Sequence, residues 1–136
     1  MSGWLLDVNL ILASRWTTHV NHSAAKAWMD SVGAFHTCAI SELGFVRISL
    51  SAAYGASWEE AQDSLKKLHA RPGHQFLADD VDGIASPKTS SKDTTDAHLV
   101  TLAKKHELKL ATLDKDLIGK PWAAGIAENP LLLMKT

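Results

Sequence analysis

Four acidic residues carry the chemistry that this sequence offers: Asp7, Glu42, Asp96 and Asp114. Asp7 closes the apolar run Trp4-Leu5-Leu6, and Val8 follows it. An acid inside such a run is costly unless it is paired or binds a metal. Glu42 opens a helical stretch, Asp96 falls in the first turn of another, and Asp114 ends the run Leu108–Leu113. Taken singly, Glu42 and Asp96 also suit a helix dipole, and Asp114 suits a turn. Taken together, four carboxylates at one place repel one another and stay ionised only around cations. An all-oxygen donor set selects hard ions such as Mg²⁺ or Mn²⁺. Such ions activate water and stabilise charge on a phosphate oxygen.

The elements that must position these acids follow from hydrophobic periodicity. Short apolar strands are expected over 4–8, 36–40, 75–78, 108–113 and 131–134. Helices are expected over 9–14, 21–32, 41–54, 57–70 and 93–106. A turn of helix is expected at 81–85, and a turn or short helix at 114–119. Ser41 is the expected N-cap of the third helix, with Leu43, Val46, Leu50 and Ala53 as its inward stripe. Ser57 and Glu60 form an expected capping box, and Trp28 and Trp58 are expected core residues. The stretch 121–128 gives no clear pattern. Strands alternating with amphipathic helices predict an α/β fold with helices on both faces of a mainly parallel sheet of about four to five strands. In such a sheet the working crevice lies beyond the carboxyl ends of the strands, where three of the four acids fall.

The chain of 136 residues, with 46% hydrophobic and 21% charged residues, is expected to form one globular domain over 1–136. Its formal net charge of -1 does not suit a passive nucleic-acid coat, which is usually basic. A protein of this charge acting on a polyanion needs local basic patches or bound cations. No run reaches the ~18 apolar residues that cross a bilayer, and the amino terminus lacks a signal-peptide pattern. Cys38 is the single cysteine and reads as a buried thiol. These features point to the cytoplasm and to no membrane. Among seven histidines only His19 and His22 have helix-face spacing, with no His-Glu-x-x-His pattern beside them, so no zinc site is expected. Trp16 and Trp122 read either as packing residues or as interface residues. Lys66-Lys67 and Lys104-Lys105 read as solvated faces.

Four segments resemble, in order, the motifs of PIN-domain nucleases, and more narrowly the VapC-type toxins of bacterial toxin–antitoxin pairs. They are Leu5-Leu6-Asp7-Val8-Asn9, Ser41-Glu42-Leu43-Gly44-Phe45-Val46-Arg47, Thr95-Asp96-Ala97-His98-Leu99 through Ala103, and Leu110-Ala111-Thr112-Leu113-Asp114-Lys115-Asp116. Phe76-Leu77-Ala78-Asp79-Asp80 is also similar to that family, whereas 119–128 matches none of its features. The resemblance implies an αβα sandwich and a metal-dependent endoribonuclease. It also implies a cognate antitoxin protein as partner, and a homodimer. It assigns catalysis to Asp7, Glu42, Asp96 and Asp114, with Mg²⁺ or Mn²⁺ held by Asp7, Asp96 and Asp114. Asn9, Thr112 and Asp116 carry over as supporting groups. Arg47 carries over as a contact to RNA phosphate or to the antitoxin, or as a surface arginine lying over apolar neighbours. The alternative is a PIN-like module that binds RNA or protein without cutting. A phosphatase of the haloacid-dehalogenase type needs an aspartate two residues after Asp7, where this chain has Asn9.

Overall fold

The computed structural model describes residues 3–134. Five strands form one parallel sheet: β1 (Trp4–Leu6), β2 (Phe35–Thr37), β3 (His74–Phe76), β4 (Lys109–Ala111) and β5 (Ala127–Glu128). Their order is β3-β2-β1-β4-β5, and every neighbouring pair runs parallel. The chain builds outward from β1 in one direction through β2 and β3, then in the other through β4 and β5. The direction of winding reverses between β1 and β4, so a crevice opens at their carboxyl ends.

Alternation along β1 sends Leu5 and Leu6 to opposite faces. Leu6 joins a cluster with Leu10, Ile11, Trp28, Phe35, Phe45 and Leu68. These come chiefly from α1 (Val8–Arg15), α2 (His22–Ser31), α3 (Ala39–Ser49) and α4 (Trp58–His69). Leu5 joins Leu99, Leu102, Leu110 and Leu117, the last two helices being α5 (Thr94–Lys105) and α6 (Lys115–Ile118). The expected αβα layering is therefore present, with α1–α4 on one face and α5–α6 on the other.

Several expected elements take a different form. The first strand stops at Leu6 because Asp7 is the N-cap of α1, its side chain accepting from the Val8 N–H. Helix α3 starts two residues earlier than expected, with Cys38 at its cap position. Ser41 sits one turn inside, where its hydroxyl accepts from Cys38 N–H and donates to Cys38 O, both at 3.1 Å. The shift rotates the buried face of α3 to Ser41, Phe45, Val46 and Ser49, and Leu43 is left 68% exposed. Trp58, the first residue of α4, overhangs the core and is 56% exposed, while Trp28 is buried. The Ser57–Glu60 capping box forms as expected.

No helix forms at 81–85; Asp82 Oδ1 instead accepts from the N–H groups of Ile84 and Ala85 in a local turn. The last strand is not at 131–134, which is a 3₁₀ turn, Pro130–Met134. It is Ala127–Glu128, inside the stretch without a readable pattern. Two residues are too few to show a period, and only pairing with β4 makes them a strand. Among the described residues, no helix is long and apolar enough to cross a membrane.

Candidate active site

Asp7 sits where β1 becomes α1 and is 5% exposed. Its backbone N–H donates to Ala111 O at 2.9 Å, which ties the end of β1 to the end of β4. Oδ1 accepts from Val8 N–H at 2.8 Å. Oδ2 accepts from the Thr112 hydroxyl at 2.7 Å. Thr112 is fully buried, and its oxygen also accepts from Asn9 Nδ2 (3.2 Å) and from Asp114 N–H (3.1 Å). Asn9 Oδ1 accepts in turn from Leu113 N–H at 3.1 Å. Asn9 and Thr112 thus lock the chain leaving β4 against the first turn of α1. Asp114 N-caps α6, its Oδ1 accepting from Asp116 and Leu117 N–H.

These contacts place Asp7 and Asp114 at one edge of the crevice. Asp96 reaches it from the first turn of α5. Asp7, Asp96 and Asp114 line a single cleft of about 360 Å³ together with Asn9, Arg47 and Lys92. An adjoining hollow carries Asp96 and Asp114 onward to Asp93, Asp116, Lys115 and Lys120. The acids therefore form the floor of a depression with basic side chains at its margin, the local positive charge that a net charge of -1 does not supply.

The electrostatics follow from this crowding. Burial pushes the Asp7 carboxyl above its ordinary value, opposed by the Thr112 and Val8 hydrogen bonds and reinforced by the charge of Asp114. Asp96 is raised to about 6, first by burial and then by the charges of Asp7, Asp114 and Asp93. The donor set at the floor is all carboxylate oxygen, and burial with neighbouring charge holds Asp7 and Asp96 toward the protonated form. That chemistry fits a hard divalent cation.

Glu42 does not line this cleft. Its Oε2 accepts from the Thr37 hydroxyl at 2.5 Å and lies 2.7 Å from His69 Nε2. The reason is the rotation of α3. The residues of α3 that face α1 and the cleft are Gly44, Arg47 and Ile48, with Gly44 against Val8. Glu42 is two residues from Gly44, about 200° around a helix. The cluster predicted from four acids thus becomes three aspartates, with Glu42 bonded elsewhere. Asn9, Thr112, Asp116 and Arg47 all lie at or beside the cleft.

Sequence reasoning did not single out Lys92, Lys115 and Lys120 at the margin, or His69 and His74 beside Glu42. Lys92 precedes Asp96 by four residues in a polar loop, and that proximity was its one available signal. His19 and His22 face backbone: His19 Nδ1 accepts from Asn21 N–H, and His22 Nδ1 lies 2.9 Å from Ala13 O. Trp16 packs rather than projecting, with Nε1 donating to Ser49 Oγ and its ring stacked on Phe45. Trp122 is half-buried against the second cluster.

Comparison with known proteins agrees with this architecture. The PIN domain family model matches residues 4–122. Ribonuclease VapC38 of Mycobacterium tuberculosis (strain ATCC 25618 / H37Rv) is 38% identical over 120 residues, covering 81% of this chain and 84% of that protein. Ribonuclease VapC39 of Mycobacterium tuberculosis (strain CDC 1551 / Oshkosh) is 33% identical over 135 residues, covering 91% and 96%. Among solved structures, FitAB bound to an IR36 DNA fragment superposes with a TM-score of 0.65 at 20% identity, covering 94% of this chain and 95% of that one. VapBC2 from Rickettsia felis bound to a promoter DNA fragment gives 0.60 at 12% identity, covering 94% and 98%. The family match spans nearly all of the described sheet and all three clustered aspartates, and on that ground the chain belongs to the PIN-domain family.

Proposed function

We propose that this PIN domain is an endoribonuclease that hydrolyses RNA phosphodiester bonds, acting as the VapC-type toxin of a toxin–antitoxin pair. One observation carries the reading: Asp7, Asp96 and Asp114, from three separate segments, line one cleft at the switch point of the sheet. The ribonuclease names of the relatives support it. The paired names of the structural neighbours, FitAB and VapBC2, support a partner protein, which we take to be the cognate antitoxin. We take the whole chain as one domain working in the cytoplasm as a homodimer.

Asp7, Asp96 and Asp114 are the proposed holders of Mg²⁺ or Mn²⁺, which when bound supplies an activated water and neutralises charge on the scissile phosphate. The chain's own residues do the positioning. Thr112 and Asn9 fix Asp7 and Asp114 relative to each other. Arg47 and Lys92 at the cleft, with Lys115 and Lys120 beside it, attract and align the RNA backbone.

The test is cleavage of single-stranded and structured RNA with Mg²⁺ or Mn²⁺, comparing the native chain with Asp7→Asn. Cleavage that disappears in a folded Asp7→Asn protein is the expected result. Equal cleavage by both proteins overturns the assignment to this cleft. RNA binding without cleavage by the native, metal-loaded protein would mark it as a binding module instead.

A further inference from the structure

We propose that Glu42, His69 and His74 form a second metal site, separate from the aspartate cleft, for a borderline divalent transition-metal ion such as Zn²⁺. One ligand atom from each residue lies within 4.8 Å of the other two. The three come from different elements: Glu42 from the first turn of α3, His69 from the last residue of α4, and His74 from the first residue of β3.

The surroundings are those of a ligand set. Thr37 is fully buried; its hydroxyl donates to Glu42 Oε2 at 2.5 Å and lies 2.7 Å from His74 Nε2. A fixed hydroxyl of this kind holds the Glu42 carboxylate and the His74 ring in place, as outer partners of metal-binding carboxylates and imidazoles do. The two imidazoles are stacked, with ring centres 4.4 Å apart and planes 17° from parallel. Burial and the neighbouring His69 both favour the neutral form of His74, which leaves its ring able to donate a lone pair. Glu42 is 14% exposed and His69 42% exposed at the side chain, so an ion can enter and keep a water position.

The donor types decide the ion. Two nitrogens and one carboxylate oxygen suit Zn²⁺ and its first-row neighbours, whereas Mg²⁺ prefers the all-oxygen cleft. One carboxylate charge with two neutral imidazoles leaves a divalent ion under-neutralised and still attractive to water or an anion. Bound there, the ion would take the place of the His69 Nε2–Glu42 Oε2 hydrogen bond, its proton passing to solvent. It would pin the end of α4 and the start of β3 to α3, across the break at Arg71-Pro72-Gly73.

The experiment is titration of the metal-free protein with Co²⁺, whose visible absorption is intense in low-coordinate nitrogen sites and faint in six-coordinate oxygen sites. We expect intense absorption from the native chain, retained in the double variant Asp7→Asn/Asp114→Asn and lost in His69→Ala and in His74→Ala. Circular dichroism checks that each variant folds. Zn²⁺ added to protein labelled at histidine should shift the ring resonances of His69 and His74 and leave those of His19 and His22 in place. Absorption that survives both histidine changes, or that only the aspartate changes remove, overturns the proposal. So does the absence of intense absorption in the native chain.

Discussion

The Thr112 hydroxyl donates to Asp7 Oδ2 at 2.7 Å across 105 positions of chain. It is the contact on which the geometry of the aspartate cleft turns. The same oxygen receives Asn9 and the backbone of Asp114, so one hydroxyl sets the relative positions of the two acids that cap α1 and α6.

Thr112→Val keeps the shape and removes that hydroxyl. A buried carboxylate oxygen, the Asn9 amide and the Asp114 N–H lose a partner together. We expect a stability loss of about 1–3 kcal/mol and a fall in RNA cleavage of about 10–100-fold. Thr112→Ser should restore both. Thermal melts and initial cleavage rates measure the two effects, and unchanged rates in Thr112→Val would show that the hydroxyl has no part in positioning.

Asp7 and Glu42 should part company under the same neutralising change. Asp7→Asn retains an oxygen to cap α1, so the fold should persist while cleavage drops by about 10²-fold or more. Glu42→Gln should leave cleavage within a few fold, because Glu42 lies against Thr37 and His69 outside the cleft. Equal losses in the two variants would return Glu42 to the catalytic group.

Gly44→Ala probes the contact between α3 and the first turn of α1. A Cβ at position 44 would stand 2.6 Å from Val8 Cγ2, and a β-branched side chain on a helix has little rotameric freedom to yield. Overpacking costs about 1–3 kcal/mol, against a gain of about 1 kcal/mol in helix propensity. Net destabilisation should follow, with reduced cleavage because Val8 adjoins Asp7. A variant that melts higher than the native protein would contradict the tight contact.

The raised carboxyls predict how the metal-free protein responds to pH. Folding lifts Asp96 from 3.8 to about 6 and also raises Asp7. The folded state then holds protons that the unfolded chain has released. The stability these two acids contribute should therefore fall as pH climbs from about 4, and the Asp96 share should level off above about 6. Asp96 is only half-buried, and screening by solvent reduces its share to about 1 kcal/mol. Melting in a chelator across this range tests the sign, and Asp96→Asn should flatten the slope. A melting temperature that rises over the same interval would mean that these acids are not crowded.

What the sequence determined by itself is the layered α/β fold and the convergence of Asp7, Asp96 and Asp114 on one cleft. Strand and helix periods are local, since burial on one face writes itself into residues two or three to four apart, and an acid next to an apolar run marks a strand end. Tertiary structure decided the remainder. The fourth acid depended on where α3 begins, and a start two residues early turned Glu42 out of the cleft and toward histidines on α4 and β3. The fifth strand exists only because β4 offers Ala127 and Glu128 an unpaired edge. The histidine pair, five residues apart across the turn that ends α4, has no helical or strand period; packing alone brings His69 and His74 together beside a carboxylate on a third element.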